Sequence, residues 1–278
     1  MKIAYLGPAG TFTEDALGEV LAPGAEFEPV RTETIREAIL AVERGEAERA
    51  LIPLENSIEG SVRTSLDTLA FDAGNVAIVG EHDFAVRPML ITREPLPLEQ
   101  VEVVFSHPQP LAQCARFLRE NLPGAELRSA ASTAAAVEIV SESREKWAAI
   151  GARAAAELYG CAVLCEGIED EPNNVTRFVW IAPAESEPEA GEEWKTSLVF
   201  SELGEDHPGA LVEALKEFSD RSINLSRIES RPLRSELGRY MFFCDIEGAL
   251  SEAPVAEAVE ALGRKAESVR ILGSYPTR

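Results

Sequence analysis

Asn173-Asn174-Val175-Thr176-Arg177-Phe178, running into Val179-Trp180-Ile181, sets amides, a hydroxyl and a permanent cation at the mouth of what reads as a buried strand. Such groups are costly to bury unpaired, and an anionic ligand is the natural partner. Taken alone, the segment reads equally well as a polar turn with Arg177 reaching solvent. Three other polar segments break the tie. Gly7-Pro8-Ala9-Gly10-Thr11-Phe12-Thr13 lies between a strand and a helix, where amides and threonine hydroxyls can cradle a carboxylate or phosphate. It has neither GxGxxG spacing nor a Walker lysine, which disfavours nucleotides. Pro53 to Val62 follows an apolar strand, where α/β clefts usually lie, and offers the acceptor Glu55, the two-way amide Asn56 and the hydroxyl of Ser57. Ser106-His107-Pro108-Gln109 repeats that placement. With no serine or cysteine nucleophile arrangement in sight, His107 reads as a helix cap or orienting group, and Ser132-Thr133 as a plain N-cap, with ligand contact the lesser alternative.

The elements that must position these groups alternate strand and helix: Lys2 to Leu6, a helix from Thr13, a helix from about Thr32, then Ala50-Leu51-Ile52. That rhythm predicts an α/β fold with a parallel sheet. It also predicts two lobes around a cleft, lobe one at 1–77 and 159–182 and lobe two at 78–158. The acidic, aperiodic stretch 183–194 reads as a linker. Residues 195–278 read strand, helix, strand, strand, helix, strand, the ferredoxin-like βαββαβ order, with Gly204 and Pro208 suiting the start of the first helix.

Composition narrows the partners. A formal charge of −22 over 278 residues argues against nucleic acid and anionic membrane surfaces, so an anionic ligand must be held by local donors. The acidity is mostly glutamate (40 Glu, 8 Asp) and the basic residues mostly arginine (21 Arg, 5 Lys), a bias that habitat or genome composition would equally produce. No apolar run approaches the roughly 18 residues of a membrane span and no signal-peptide core precedes Gly7-Pro8, so the expected address is the cytoplasm. Cys114, Cys161, Cys165 and Cys244 are scattered without CxxC or histidine neighbours, predicting reduced thiols and no metal site.

The chain resembles a prephenate dehydratase with a C-terminal ACT regulatory domain. The resemblance rests on Gly7 to Thr13, Pro53 to Val62, Ser106 to Cys114, Asn174 to Phe178, Gly209-Ala210-Leu211-Val212 and Glu229-Ser230-Arg231-Pro232, which together span nearly the whole chain. Leu54, where isoleucine is common, and Pro110, where alanine is, are its small departures. It implies a two-lobed, periplasmic-binding-protein-like catalytic domain at 1–182. The implied activity is decarboxylating dehydration of prephenate to phenylpyruvate, without metal or organic cofactor. It makes Thr176 the donor to the departing hydroxyl, helped by Glu55, Asn56 and Ser57. Gly10, Thr11, Phe12, Gly60, Asn174, Arg177 and Phe178 become substrate contacts, with Arg177 clamping a carboxylate. In the ACT domain it implies an L-phenylalanine site at an interface between copies, contacted by Gly209 to Val212, Asn224 and Glu229 to Pro232, hence a homodimer or homotetramer. Because the first motif begins at Gly7, the likeness is to a monofunctional enzyme without a chorismate mutase domain. Arogenate dehydratase is the nearest alternative, its extra ammonium met by Glu55 or Glu59, and a non-catalytic amino-acid sensor is the alternative from another class.

Overall fold

A computed structural model describes residues 1–21, 26–203, 208–235 and 237–277, so Gly204 lies outside the described residues. The chain opens with β1 (Lys2–Leu6), α1 (Phe12–Val20), β2 (Glu28–Thr32), α2 (Ile35–Glu43), β3 (Arg49–Asn56), β4 (Gly60–Ser61), α3 (Arg63–Phe71) and β5 (Val76–Ala85). It continues with β6 (Met89–Thr92), β7 (Val103–Ser106), α4 (Pro108–Gln113), α5 (Ala115–Asn121), β8 (Glu126–Ser129), α6 (Thr133–Glu142), β9 (Trp147–Gly151), α7 (Arg153–Tyr159) and β10 (Ala162–Glu166). Then come β11 (Val175–Pro183), β12 (Trp194–Ser201), α8 (Ala210–Ser219), β13 (Leu225–Pro232), β14 (Tyr240–Glu247), α9 (Ala253–Gly263) and β15 (Ser268–Pro276).

These strands form three sheets: β2-β1-β3-β11-β5 with β4 hydrogen-bonded to β3, then β10-β6-β9-β7-β8, then β13-β14-β12-β15. The first two are the expected lobes, each with apolar clusters on both faces of its sheet. Their boundaries differ from the sequence reading. The strand β5 pairs along its length with β11 in the first sheet, and β10 pairs with β6 in the second. The crossings therefore fall at 86–88 and 167–174, not near 78 and 158. Apolar periodicity marks Val76 to Gly80 as a buried strand but carries no information on which sheet it joins.

The third sheet has the ferredoxin-like order, with α8 and α9 covering one face around Phe200, Phe218 and Leu262. Its other face is not solvated. Val199, Met241, Phe243, Leu272 and Tyr275 join one apolar cluster with Ile52, Leu54, Val179 and Ile181 of the first lobe. The segment read as a linker is strapped to that junction, the Glu189 amide donating to the Val79 carbonyl at 2.9 Å and the Glu189 carboxylate facing Arg49 at 3.3 Å. At the closest approach, a Cβ on Gly273 would stand 2.2 Å from the backbone oxygen of Ile78. Glycine is needed there because two backbones meet.

Among the described residues no helix is long and apolar enough to cross a membrane, and no group of three His, Cys, Asp or Glu is placed to hold a metal ion. All four cysteines are free, and burial pushes the Cys114 and Cys244 thiols up to about 12, which leaves them protonated at neutral pH. The Gly273–Ile78 contact makes the docking testable: Gly273→Ala should cost about 2 kcal/mol of overpacking, a fall of roughly 4–8 °C in Tm by calorimetry.

Candidate active site

The hydroxyl of Thr176 is held from a neighbouring strand. Thr176 faces Asn56 in the β11–β3 register, and Asn56 Nδ2 donates to Thr176 Oγ1 at 3.0 Å and to Asn174 Oδ1 at 2.8 Å. Asn56 Oδ1 accepts from the amides of Ile58 and Glu59, both at 3.0 Å, which fixes the amide flip. Since Thr176 Oγ1 accepts from Asn56, its own hydrogen is free to point elsewhere. It opens on a cavity of about 280 Å³ between the lobes. One side of that cavity is Phe12, Asn56, Asn174 and Thr176; the other is His107, Gln109, Gln113 and the α6 start at Ser132-Thr133. Among the described residues of the lining, His107 is the only titratable side chain. An adjoining crevice of about 590 Å³ shares Gln109, Gln113 and Asn174 but adds Glu59, Glu169, Asp170 and Glu171.

The readings of His107 and Ser132 as caps hold: His107 Nδ1 accepts from the Gln109 amide at 3.4 Å, and Ser132 Oγ accepts from Ala135 N at 3.0 Å. Both also line the cavity. Gln113 is the residue that sequence reasoning missed. It accepts from buried Asn174 at 3.3 Å and donates to Glu59 at 3.4 Å, tying α4 of the second lobe to both arms of the first. Its signal was the i, i+4 spacing from Gln109, which puts both amides on one face of a helix.

Several expected contacts lie elsewhere. Arg177 turns away from Thr176, because neighbours on a strand point to opposite faces. Its side chain is only 12% exposed, and the guanidinium donates to Glu81 at 2.6 Å, to Asp245 at 2.6 Å and to the Tyr275 hydroxyl at 2.7 Å. It therefore joins the first lobe to the third sheet and is not presented to a substrate carboxylate. Glu55 shares that face, 3.8 Å from Arg177 and 3.5 Å from Arg227. Ser57 Oγ is used up on backbone, donating to Asn173 O at 2.7 Å and accepting from Val175 N at 2.9 Å, so it clips β3 to β11 and does not assist a leaving group. Phe178 is buried edge-on against Phe84, centroids 6.2 Å apart, in the core of the first lobe. The Gly10 amide is also taken: it donates to Glu14 Oε2 at 2.5 Å, on a carboxylate that also meets Arg31 and the Tyr5 hydroxyl. Gly10 (φ +79°) packs against Ala155, and Asp15 accepts from the Arg153 and Ala154 amides at 3.0 and 2.7 Å. The Gly7 to Thr13 loop thus joins the lobes, and of Gly10, Thr11 and Phe12 only Phe12 lines the cavity. Gly60 stays in the hairpin opposite Asn56.

In the third sheet, β13 alternates half-buried and exposed residues. Ser230 and Pro232 lie on the exposed side, and Val212 on α8 is 58% exposed. Glu229 and Arg231 face the first lobe instead, Arg231 gripping Asp67 through two 2.7 Å bonds and Glu229 accepting from Arg227 at 2.9 Å. Asn224 donates to Glu247 at 2.6 Å. Of the residues expected to share an effector site, Glu229 and Arg231 are therefore separated from Ser230 and Pro232 by the two faces of β13.

These ion pairs set an acid limit. Burial pushes the Asp245 carboxyl up, but the charge and hydrogen bond of Arg177, with Ser197 and Arg227, outweigh it and hold Asp245 below the usual range. Asp67 is held low in the same way by Arg231 and Arg234. A depressed carboxylate contributes stability that is complete above the unfolded value of about 3.9 and disappears as pH falls below it. The Tm should therefore drop steeply on acidification below about pH 4. Asp245→Asn, which strands part of the Arg177 charge, should cost about 3–5 kcal/mol at neutral pH in chemical denaturation.

With this geometry in hand, comparison places the chain among known proteins. Family models for prephenate dehydratase and for the ACT domain match residues 3–186 and 202–264. A prephenate dehydratase of Mycolicibacterium smegmatis is 44% identical, covering 99% of this chain and 90% of its own. The crystal structure of an Arthrobacter aurescens prephenate dehydratase in complex with L-Phe superposes with a TM-score of 0.88 at 38% identity, over 99% of this chain and 90% of that one. A solved structure described as a novel type of quorum-quenching acylase superposes with a TM-score of 0.87 at 30% identity, over 100% and 98%. The chain belongs to the prephenate dehydratase family, with a C-terminal ACT domain.

Proposed function

We propose that this chain converts prephenate to phenylpyruvate, carbon dioxide and water. The observation that carries the reading is the Thr176 hydroxyl, oriented by Asn56 and opening on an interlobe cavity that holds no carboxylate side chain among its described lining residues. In the reaction the ring carboxylate departs as carbon dioxide, the C–C bonding pair enters the ring, and the ring C–O bond breaks as the ring becomes aromatic. The leaving oxygen takes up one proton, so a dianion plus a proton yields a monoanion, carbon dioxide and water. Little covalent chemistry is asked of the protein beyond orientation and help to the leaving group. Thr176, already accepting from Asn56, donates its own hydrogen to the departing hydroxyl, and the net proton comes from solvent. The amides of Gln109 and Gln113 and the α6 start offer uncharged donors to the substrate carboxylates in place of Arg177.

Arogenate is the poorer fit. Its ammonium wants a carboxylate, yet Glu55 faces the third sheet and Glu59 lines the neighbouring crevice instead of the Thr176 cavity. Acyl transfer would need a base beside a nucleophile, and the partner of Thr176 is an amide. In this reading the ACT domain takes L-phenylalanine between two copies in a cytoplasmic homodimer or homotetramer. The exposed Val212, Ile228 and Tyr240 of α8, β13 and β14 support such an interface.

The test is phenylpyruvate formation from prephenate at neutral pH, with and without L-phenylalanine. Wild type should turn over and be inhibited, Thr176→Ser should stay active, and Thr176→Ala should lose about a hundredfold or more in kcat. A folded wild type without turnover overturns the reading.

A further inference from the structure

Arg227 belongs to β13 of the ACT domain, yet its guanidinium ends in the catalytic lobe. The side chain is 9% exposed. Nη2 donates to Ser61 Oγ at 2.6 Å and to Glu229 at 2.9 Å, while Nε lies 3.5 Å from Glu55. Glu55 and Ser61 oppose each other across the β3–β4 hairpin, and the next pair along is Asn56 with Gly60. The guanidinium thus engages both arms of the hairpin one residue from the side chain that orients Thr176.

Ser57 fastens the hairpin to Asn173 and Val175, and Gln113 meets Glu59 at its tip, whereas Arg227 reaches its β4 arm. The hairpin's second strand is two residues long, Gly60 sits at φ +79°, and Ile58 and Glu59 at the tip are exposed. A hairpin that short has no stability of its own. The Asn56 side chain nevertheless depends on it, because Asn56 Oδ1 is fixed by the Ile58 and Glu59 amides. Of the other junction contacts, Arg231 fastens on Asp67 of α3, and Arg177, bonded to Asp245 and Glu81, reaches the hairpin only at 3.8 Å from Glu55.

We propose that Arg227 is a positioning residue of the dehydratase site: from the ACT domain it clamps the β3–β4 hairpin and so holds Asn56 against Thr176. The inference rests on the assignment of Thr176 above. It gives the ACT domain a direct grip on catalysis, since Ile228 and Ser230 lie on the exposed side of the same strand whose inner side carries the clamp.

Steady-state kinetics of the full chain on prephenate, with thermal unfolding of every variant, tests it. Arg227→Met should lower kcat about tenfold with KM changed by less than about twofold, and Arg227→Lys should recover about half of the loss in free-energy terms. Ser61→Ala should lower kcat about threefold, and adding it to Arg227→Met should cost nothing more, because both remove one contact. Arg231→Met, which loosens docking without touching the hairpin, should leave kcat within about twofold. Unchanged kcat in Arg227→Met, or equal losses in the Arg227 and Arg231 variants, overturns the proposal. If Arg227→Met does not fold, Ser61→Ala decides, a wild-type kcat counting against the clamp. If wild type has no turnover, the functional reading fails instead. Amide exchange at Ile58 and Glu59 then decides on the clamp, with about tenfold acceleration expected in Ser61→Ala and unchanged exchange overturning it.

Discussion

A buried guanidinium must be neutralised where it lies, and in this protein that requirement ties two domains together. Arg177 and Lys195 bring two positive charges to the junction, Glu81 and Asp245 two negative ones, with the Tyr275 and Ser197 hydroxyls filling the remaining hydrogen-bonding positions. Such a cluster adds little net stability over a well-packed apolar one, but it heavily penalises any arrangement in which one partner loses its mate. Apolar burial among Val199, Phe243, Leu272 and the first lobe supplies attraction without direction. The ions supply the register.

That register matters because the strands at the junction are also the strands of the site. Thr176 faces the cleft and Arg177 the ACT domain; one strand over, Asn56 faces the cleft and Glu55 the ACT domain; in β13, Arg227 faces the catalytic lobe while Ile228 is exposed. A strand has only two sides, so a shift that repacks one side displaces the other. The Asn56–Thr176 pair and the domain contact share two backbones with no intervening element.

The same alternation explains what the sequence revealed and what it hid. The strand–helix rhythm, the βαββαβ tail and the polar loops after apolar strands were legible, because each is a local pattern of burial and turn chemistry. Thr176 and Asn56 were read as neighbours and are hydrogen-bonded. The errors concern direction and competition. Contiguity of motif places Arg177 and Glu55 in the cleft, although the period of two sends them to the other side. Ser57 and the Gly10 amide were counted as free donors, but Asn173 O and Glu14 occupy them, partners that only the folded chain brings near. Glu229 and Arg231 were grouped with Ser230 for the same reason of contiguity, and β5 was given to the wrong lobe because a buried strand does not announce its neighbours.

The charge distribution settles how a strongly acidic chain can accept a dianion. The formal charge of −22 opposes its approach at long range, but at physiological salt that field fades over about 8 Å. What remains is the lining itself. The cavity at Thr176 has amides, hydroxyls and one imidazole, while the carboxylates of this region, Glu59, Glu169, Asp170 and Glu171, are confined to the adjoining crevice. With Arg177 committed to Asp245 and Glu81, the cleft offers an anion neutral dipoles and not a fixed counter-charge. That suits a substrate that must shed a carboxylate: a strong ion pair to the departing group would stabilise the ground state more than the transition state, whereas hydrogen bonds to the leaving hydroxyl strengthen as charge develops on its oxygen. Arg177 stays out of the cleft and holds the domain junction instead.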